Sequence, residues 1–355
     1  MNNTVVASPK DIEPPMHKKE CSGRLKVLLI CHFSNPEIRS LLKLDSCKEY
    51  HDFAVWITNR LSAYATLGNL DVHVVSPHKG MQHKFQQFES NGIYYYFFNA
   101  GSNVQRYLEI GMNILFRKTN KLPIIKILYK LKSLYWMIAF LKQKRLVQFL
   151  SQSIRPDVIH LNGAENPYYS STVLGLEKFN IPILVSIQGI IGDPDLVKSS
   201  EFIDVPRIEI EQKIHSTFRY YIVGSAEHYK LVKMVNPSAL FMFSPDIRTI
   251  NIDPKSEEIH KEFDFVFMSR VTRIKGIEHA LMAIRNLRES SYETSLLVLG
   301  PISQSYLLHL SSLCESFGIK DRVVFAGHVP KRDDLYRQAL RASIFILPTD
   351  RKSVV

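Results

Sequence analysis

Apolar residues along this chain fall into short continuous runs, separated by segments of helical periodicity, as in an α/β protein. Residues 26–33 (KVLLICHF) form an uninterrupted apolar run, the pattern of a strand buried on both faces. Residues 52–66 carry Phe53, Trp56, Ile57 and Leu61 at helical spacing, which places them in the core. Strands follow at 70–76 and 92–99, then the run 155–163 (RPDVIHLNG), a helix at 167–179 and a strand at 182–187. An amphipathic helix is predicted at 206–219, with a strand directly after it. Polar residues 249–262 read as a linker. Beyond them the alternation resumes: strands at 263–269, 294–300, 322–327 and 343–347, and helices at 276–289, 303–317 and 331–341.

Composition narrows the class. With 355 residues and 45% hydrophobic content the chain can bury two cores. No internal repeat is visible. Cys21, Cys31, Cys47 and Cys314 form no CxxC pair or metal spacing, which suits a reducing cytoplasm. Residues 1–23 lack the apolar centre of a signal peptide and read as a flexible leader.

The formal net charge of +11 permits a nucleic-acid partner, but no zinc-finger, RNP-like or helix-turn-helix signature accompanies it. The charge has a location instead. Residues 110–156 contain no acidic side chain, and lysines and arginines from Arg117 to Arg155 alternate there with Ile, Leu, Tyr135 and Trp136. The run SLYWMIAFL is too short to span a bilayer. The segment 117–145 fits a helix lying on an anionic membrane surface, or a helix pair with its apolar faces in the core.

Candidate chemistry concentrates at residues 263–276, FDFVFMSRVTRIKG. A buried strand ends at Ser269-Arg270, and Lys275-Gly276 opens a helix. Ligands of open α/β sheets bind outside the carboxyl ends of strands, and a helix N-terminus favours anions. Arg270 and Lys275 there suit a diphosphate, or are simply solvated cations.

Ser-Arg-x5-Lys-Gly after a strand, a second strand ending in Gly300, and the segment RVVFAGHVPKRDDLYRQA together resemble family-4-type retaining glycosyltransferases. The resemblance implies the GT-B fold: two Rossmann-like domains facing a cleft, the second incomplete here. It implies domains at 24–248 (acceptor side, with the basic insert 110–156) and 263–349 (nucleotide-sugar side); the last residues 350–355, DRKSVV, read as a sequencing scar. Arg270 and Lys275 would be the catalytic pair, stabilising the leaving diphosphate. Ser269, Gly276, Gly300, His328, Gln188 and Gly189 would bind the donor. Where relatives carry His-Gly, Gln188 can bind hydroxyls but serve neither as cation nor as base. Acceptor-side candidates are Asp52 (equally a helix N-cap), His160 (equally structural), Asn162 and Glu165. No metal or cofactor is implied. Asp193-Pro-Asp195 looks like the DxD metal motif of GT-A enzymes, but its proline and glycine neighbours make it an ordinary turn.

The chain departs from the pattern elsewhere. The loop after the first strand, SNPEIRSLLKLD, has no glycine, and the Glu-x7-Glu motif expected after residue 349 is missing. The expectation is therefore a C-terminally truncated, inactive fragment of a cytoplasmic enzyme, peripheral on the inner membrane face. The whole enzyme would move sugar from a nucleotide-diphosphate donor to a glycan or lipid-linked acceptor. Rival readings are a non-catalytic membrane-surface binding protein and a GT-B nucleotide-sugar epimerase.

Overall fold

A computed structural model of the chain describes residues 23–44, 54–78, 81, 83–99, 141–194, 197, 205–244 and 259–349. The chain divides into two compact units, residues 1–248 and 249–355. Asp52, Asp195, residues 110–140 of the basic insert, most of the linker 249–262 and the segment 350–355 lie outside the described residues.

The first unit is an eight-stranded sheet. Its strands are β1 (Leu25–Ile30), β2 (Leu70–His78), β3 (Phe85–Ser90), β4 (Ile93–Asn99), β5 (Val158–Asn162), β6 (Ile183–Ser186), β7 (Tyr220–Val223) and β8 (Leu240–Phe243). Their order is β3-β4-β2-β1-β5-β6-β7-β8, and every neighbouring pair is parallel except β3 with β4. The helices are α1 (Pro36–Leu41), α2 (Val55–Thr66), α3 (Leu141–Ile154), α4 (Pro167–Ser170), α5 (Val205–Thr217) and α6 (Ala226–Val235).

Alternation along β1 explains its unbroken apolar run. Leu28 and Ile30 join one core with Val147, Leu150, Ile159, Ile214 and Val232; Leu29 and Cys31 join another with Ile38, Ile57, Leu61, Val72 and Phe97. Both faces of the strand are covered, so neither can be polar. Helix α3 turns Leu146, Val147, Leu150 and Ile154 into the first of these cores, so this part of the basic segment packs inward.

One expected helix is broken. In place of 167–179 the chain forms α4 and two 3-10 turns, Ser171–Val173 and Glu177–Phe179. Gly175 between them has φ +95°, and a Cβ there would lie 2.8 Å from Lys144 Cε on α3. The close approach and the left-handed backbone both stop the helix. Strand β3, α1, α6 and β8 have no counterpart in the sequence reading.

The second unit holds a four-stranded parallel sheet in the order β11-β10-β9-β12. These are β9 (Phe263–Met268), β10 (Leu296–Leu299), β11 (Val323–Gly327) and β12 (Ala342–Phe345). They alternate with α7 (Ile277–Glu289), α8 (Gln304–Ser316) and α9 (Arg332–Leu340), within a few residues of the predicted bounds. Helix α7 buries Ile277, Ala280, Leu281 and Ile284, an apolar stripe at i, i+3, i+4 and i+7. Ser303 caps α8 by accepting from the Tyr306 amide. Among the described residues no helix is long and apolar enough to cross a membrane.

Candidate active site

Each sheet has one place where successive connections leave in opposite directions, the position at which α/β proteins take ligands. In the second unit it lies between β9 and β12. Chain from β9 runs through α7 to β10 on one side, and β12 returns to β9 on the other.

Ser269, Arg270, Lys275 and Gly276 occupy this point. The Ser269 amide donates to the Leu299 carbonyl, and the Gly300 amide to the Gly327 carbonyl, tying the ends of β9, β10 and β11 together. Gly300 has φ +138°, and a Cβ there would collide with the Ser269 carbonyl oxygen. Residues 273–275 form a 3-10 turn, and Gly276 at φ +77° then starts α7 without any side-chain cap. On the opposite flank a Cβ at Gly276 would run into the Pro348 carbonyl, and Thr349 Oγ1 donates to the Ile274 carbonyl. No side chain of the N-cap residue bonds the first amides of α7.

The charges are arranged to suit. Glu278, in the first turn of α7, is occupied: it pairs with Arg273 at 3.4 Å and accepts from the Tyr306 hydroxyl at 3.0 Å. Arg270 is exposed and Lys275 half-buried, and neither forms an ion pair among the described residues. Two cations without ion-pair partners among the described residues, beside a helix start, are an arrangement that suits an anion. His328 is exposed just past β11.

In the first unit the reversal falls between β1 and β5. Here the predicted residues separate into two groups. His160 and Asn162 are 2% and 3% exposed, so they support the site from inside and do not line it. His160 Nε2 hydrogen-bonds Ser186 Oγ at 2.7 Å, and its Nδ1 faces the Tyr64 hydroxyl at 3.5 Å. Burial, aided by the Arg60 guanidinium, pushes the ring's pKa down to about 3, so it is neutral. Asn162 Oδ1 accepts from Arg60, reaching over from α2, and its carbonyl accepts from the Tyr169 hydroxyl.

Glu165, Gln188 and Gly189 form the second group. All three are half-buried on the loops that leave β5 and β6. Glu165 Oε2 has no hydrogen-bond partner among the described residues, and burial raises its carboxyl above the usual range, with backbone hydrogen bonding and Arg207 opposing. Asp193 lies in the turn that follows, and no cluster of metal-binding side chains occurs among the described residues.

Three residues here escaped the sequence reading: Arg60, Arg207 and Glu211. Glu211 is the least expected, being fully buried on α5. Its two carboxylate oxygens accept from the amides of Ile191 (3.0 Å) and Gly192 (2.8 Å). Burial lifts its pKa to about 7 against the pull of these two hydrogen bonds; Glu165 adds to the rise and Arg207 opposes it. Its inward position could be read from the helical period, since Ile214 and His215 follow one turn on, but its backbone partners could not.

Residues 249–353 match the family described as glycosyl transferases group 1. No curated protein matches the chain. Among solved structures it is similar to sucrose-phosphate synthase from Thermosynechococcus elongatus: 16% identity, TM-score 0.59, covering 92% of this chain and 76% of that one. The HepE protein of Anabaena, solved with UDP-glucose, gives 12% identity and TM-score 0.53 over 92% and 74%. The α,α-trehalose 6-phosphate synthase of Burkholderia multivorans gives 10% and 0.52 over 93% and 77%. The chain has the GT-B fold, and its residues 249–353 carry the glycosyl transferases group 1 signature.

Proposed function

We propose that this chain is a retaining glycosyltransferase, working without an obligatory metal, that moves a sugar from a nucleoside diphosphate to an acceptor hydroxyl. The acceptor would be a glycan or a lipid-linked sugar of polysaccharide or cell-envelope assembly. The enzyme would work in the cytoplasm, at the inner membrane face through residues 117–145. The observation that carries this reading is the pair Arg270 and Lys275, free of ion pairs among the described residues, at the β9–β12 reversal beside the start of α7.

The pair would stabilise charge where it grows. As the bond between the anomeric carbon and the diphosphate oxygen breaks, negative charge builds on that oxygen, and two fixed cations lower the barrier. The acceptor oxygen bonds to the same face of the anomeric carbon. Its proton passes to the departing phosphate oxygen, so no protein base is required. Ser269, Gly276 and Gly300 would bring the ends of β9 and β10 and the start of α7 to the diphosphate, His328 would meet the nucleotide, and Gln188 and Gly189 would bind the sugar. Glu165, half-buried on the loop leaving β5, would meet an acceptor hydroxyl.

The test is release of nucleoside diphosphate from UDP-, GDP- and ADP-sugars by the intact chain, with Lys275→Ala and Arg270→Ala beside it. Each substitution is expected to lower kcat/KM by roughly a hundredfold or more while leaving the melting temperature unchanged. Wild-type kinetics in both variants would overturn the assignment.

A further inference from the structure

Helix α5 touches two loops at once. Arg207 and Glu211 stand one turn apart on the same face of the helix. Arg207 Nη2 donates to the backbone carbonyl of Glu165 at 2.7 Å, on the loop leaving β5. Glu211 holds Ile191 and Gly192, on the loop leaving β6, through both of its oxygens. Gly192 lets that loop lie against the helix: a Cβ there would sit 3.2 Å from Ile208 Cγ2 and 3.3 Å from Glu211 Oε2.

A fully buried carboxylate is costly, and an apolar side chain would pack this position at less expense. Removing the carboxylate, however, would leave two backbone amides without an acceptor and the loop without an anchor. Charge-assisted bonds to two successive amides fix the direction of the backbone as well as its position. Gly189 and Gln188 lie two and three residues upstream of the first held amide.

We propose that Arg207 and Glu211 are positioning residues for the transfer reaction, a two-point clamp that sets the Glu165 loop and the Gln188–Gly189 loop relative to each other. The inference rests on the transferase reading above. Neither side chain is assigned a contact with substrate; both act through the backbone they hold. Small displacements of positioning groups can cost about a hundredfold in rate.

The experiment compares the intact chain with Glu211→Gln, Glu211→Ala and Arg207→Lys by two readouts. The first is KM and kcat for nucleoside diphosphate release from the same panel of UDP-, GDP- and ADP-sugars. The second is amide hydrogen exchange over residues 188–193. Glutamine keeps the shape but offers one acceptor oxygen in place of two, so Glu211→Gln should raise the donor KM and speed exchange of the loop. Glu211→Ala should go further in the same direction, and kcat/KM should fall roughly ten- to hundredfold across the series.

A role confined to folding would lower the active fraction, reducing apparent kcat at unchanged KM; that result would overturn the proposal. Unchanged exchange at 188–193 in Glu211→Gln would overturn it too. If the wild-type chain turns over no nucleotide sugar, the transferase reading fails, and the exchange readout alone still decides whether the clamp exists. If Glu211→Ala does not fold, the near-isosteric glutamine variant decides.

Discussion

His215 sits on α5, 2% exposed, against the ring of Tyr221, with neither ring nitrogen hydrogen-bonded among the described residues. Burial alone pushes its pKa down from 6.5 to about 4. The unfolded chain therefore takes up a proton on this ring below pH 6.5, while the folded chain holds out until about pH 4. Across that window the unfolded state carries the extra proton, so stability falls as pH falls, by up to about 3 kcal/mol. His215→Leu removes both the unpartnered nitrogens and this slope. The variant should be no less stable than wild type at pH 7, and its loss between pH 7 and pH 4.5 should be smaller by roughly 2 kcal/mol. Urea unfolding at the two pH values measures this; equal losses would show that the ring is not buried neutral. His215 and Glu211 also mark what the sequence conceals at this scale. Both occupy inward positions of a helix that polarity alone reads as partly exposed. Arg270 and Lys275 were legible because strand, loop and helix start follow one another without interruption. Arg60, Arg207 and Glu211 were not, because their partners are distant in the chain or are backbone groups.

At the scale of elements, the start of α7 decides the geometry of the anion site, and Gly276 decides the start of α7. Two demands meet at this residue: φ of +77° and a close approach to the Pro348 carbonyl. Gly327 makes only the first demand, with φ +73° and open space where a Cβ would be. Gly327→Ala should therefore cost about 1 kcal/mol for the left-handed backbone. Gly276→Ala should cost clearly more, since the β9–β12 reversal must also open. Thermal unfolding of the intact chain, with hydrogen exchange at β9 and β10 amides, separates the two; equal losses would mean that the Pro348 approach carries no weight. The βα order of this unit could be read from the sequence because its strands and helices keep clean periods. Strand β3 could not: its residues FQQFES are half-polar, and its partner β4 reads as complete without it. Helix α1 is only six residues long, held by the Asn35 side chain and by no repeated apolar stripe. The expected helix at 167–179 failed on one glycine, whose close neighbour, Lys144, is 31 positions earlier in the chain.

For the molecule as a whole, the titrating groups are unevenly placed. His160, His215 and His228, all with lowered pKa, lie in the first unit, as do Glu165 and Glu211, both raised. The two sets oppose each other. A buried histidine makes the folded state release its proton early on the way up in pH, so its contribution is lost on acidification. A raised carboxyl keeps its proton in the folded state after the unfolded chain has released it near pH 4.5, so its contribution is lost as pH rises towards 7. Between pH 4.5 and 6.5 these trends oppose each other. Below 4.5 the glutamates are protonated in both states, while His160 and, down to about pH 4, His215 still differ between folded and unfolded chains. The first unit should thus lose stability on acidification, with the glutamates opposing the loss only above pH 4.5, whereas β9 and β10 have no buried histidine among the described residues to carry such a loss. Hydrogen exchange of the intact chain at pH 5.5 and pH 4.0, corrected for intrinsic rates, reads both units together. Protection in β1, β5 and β6 is expected to fall at pH 4.0 while that in β9 and β10 persists. Loss of β9 and β10 first, or of all five strands together, would mean that the buried histidines do not set the acid limit. Glu211→Gln sharpens the test, since removing one opposing group should let the decline of the first unit begin nearer pH 6.5.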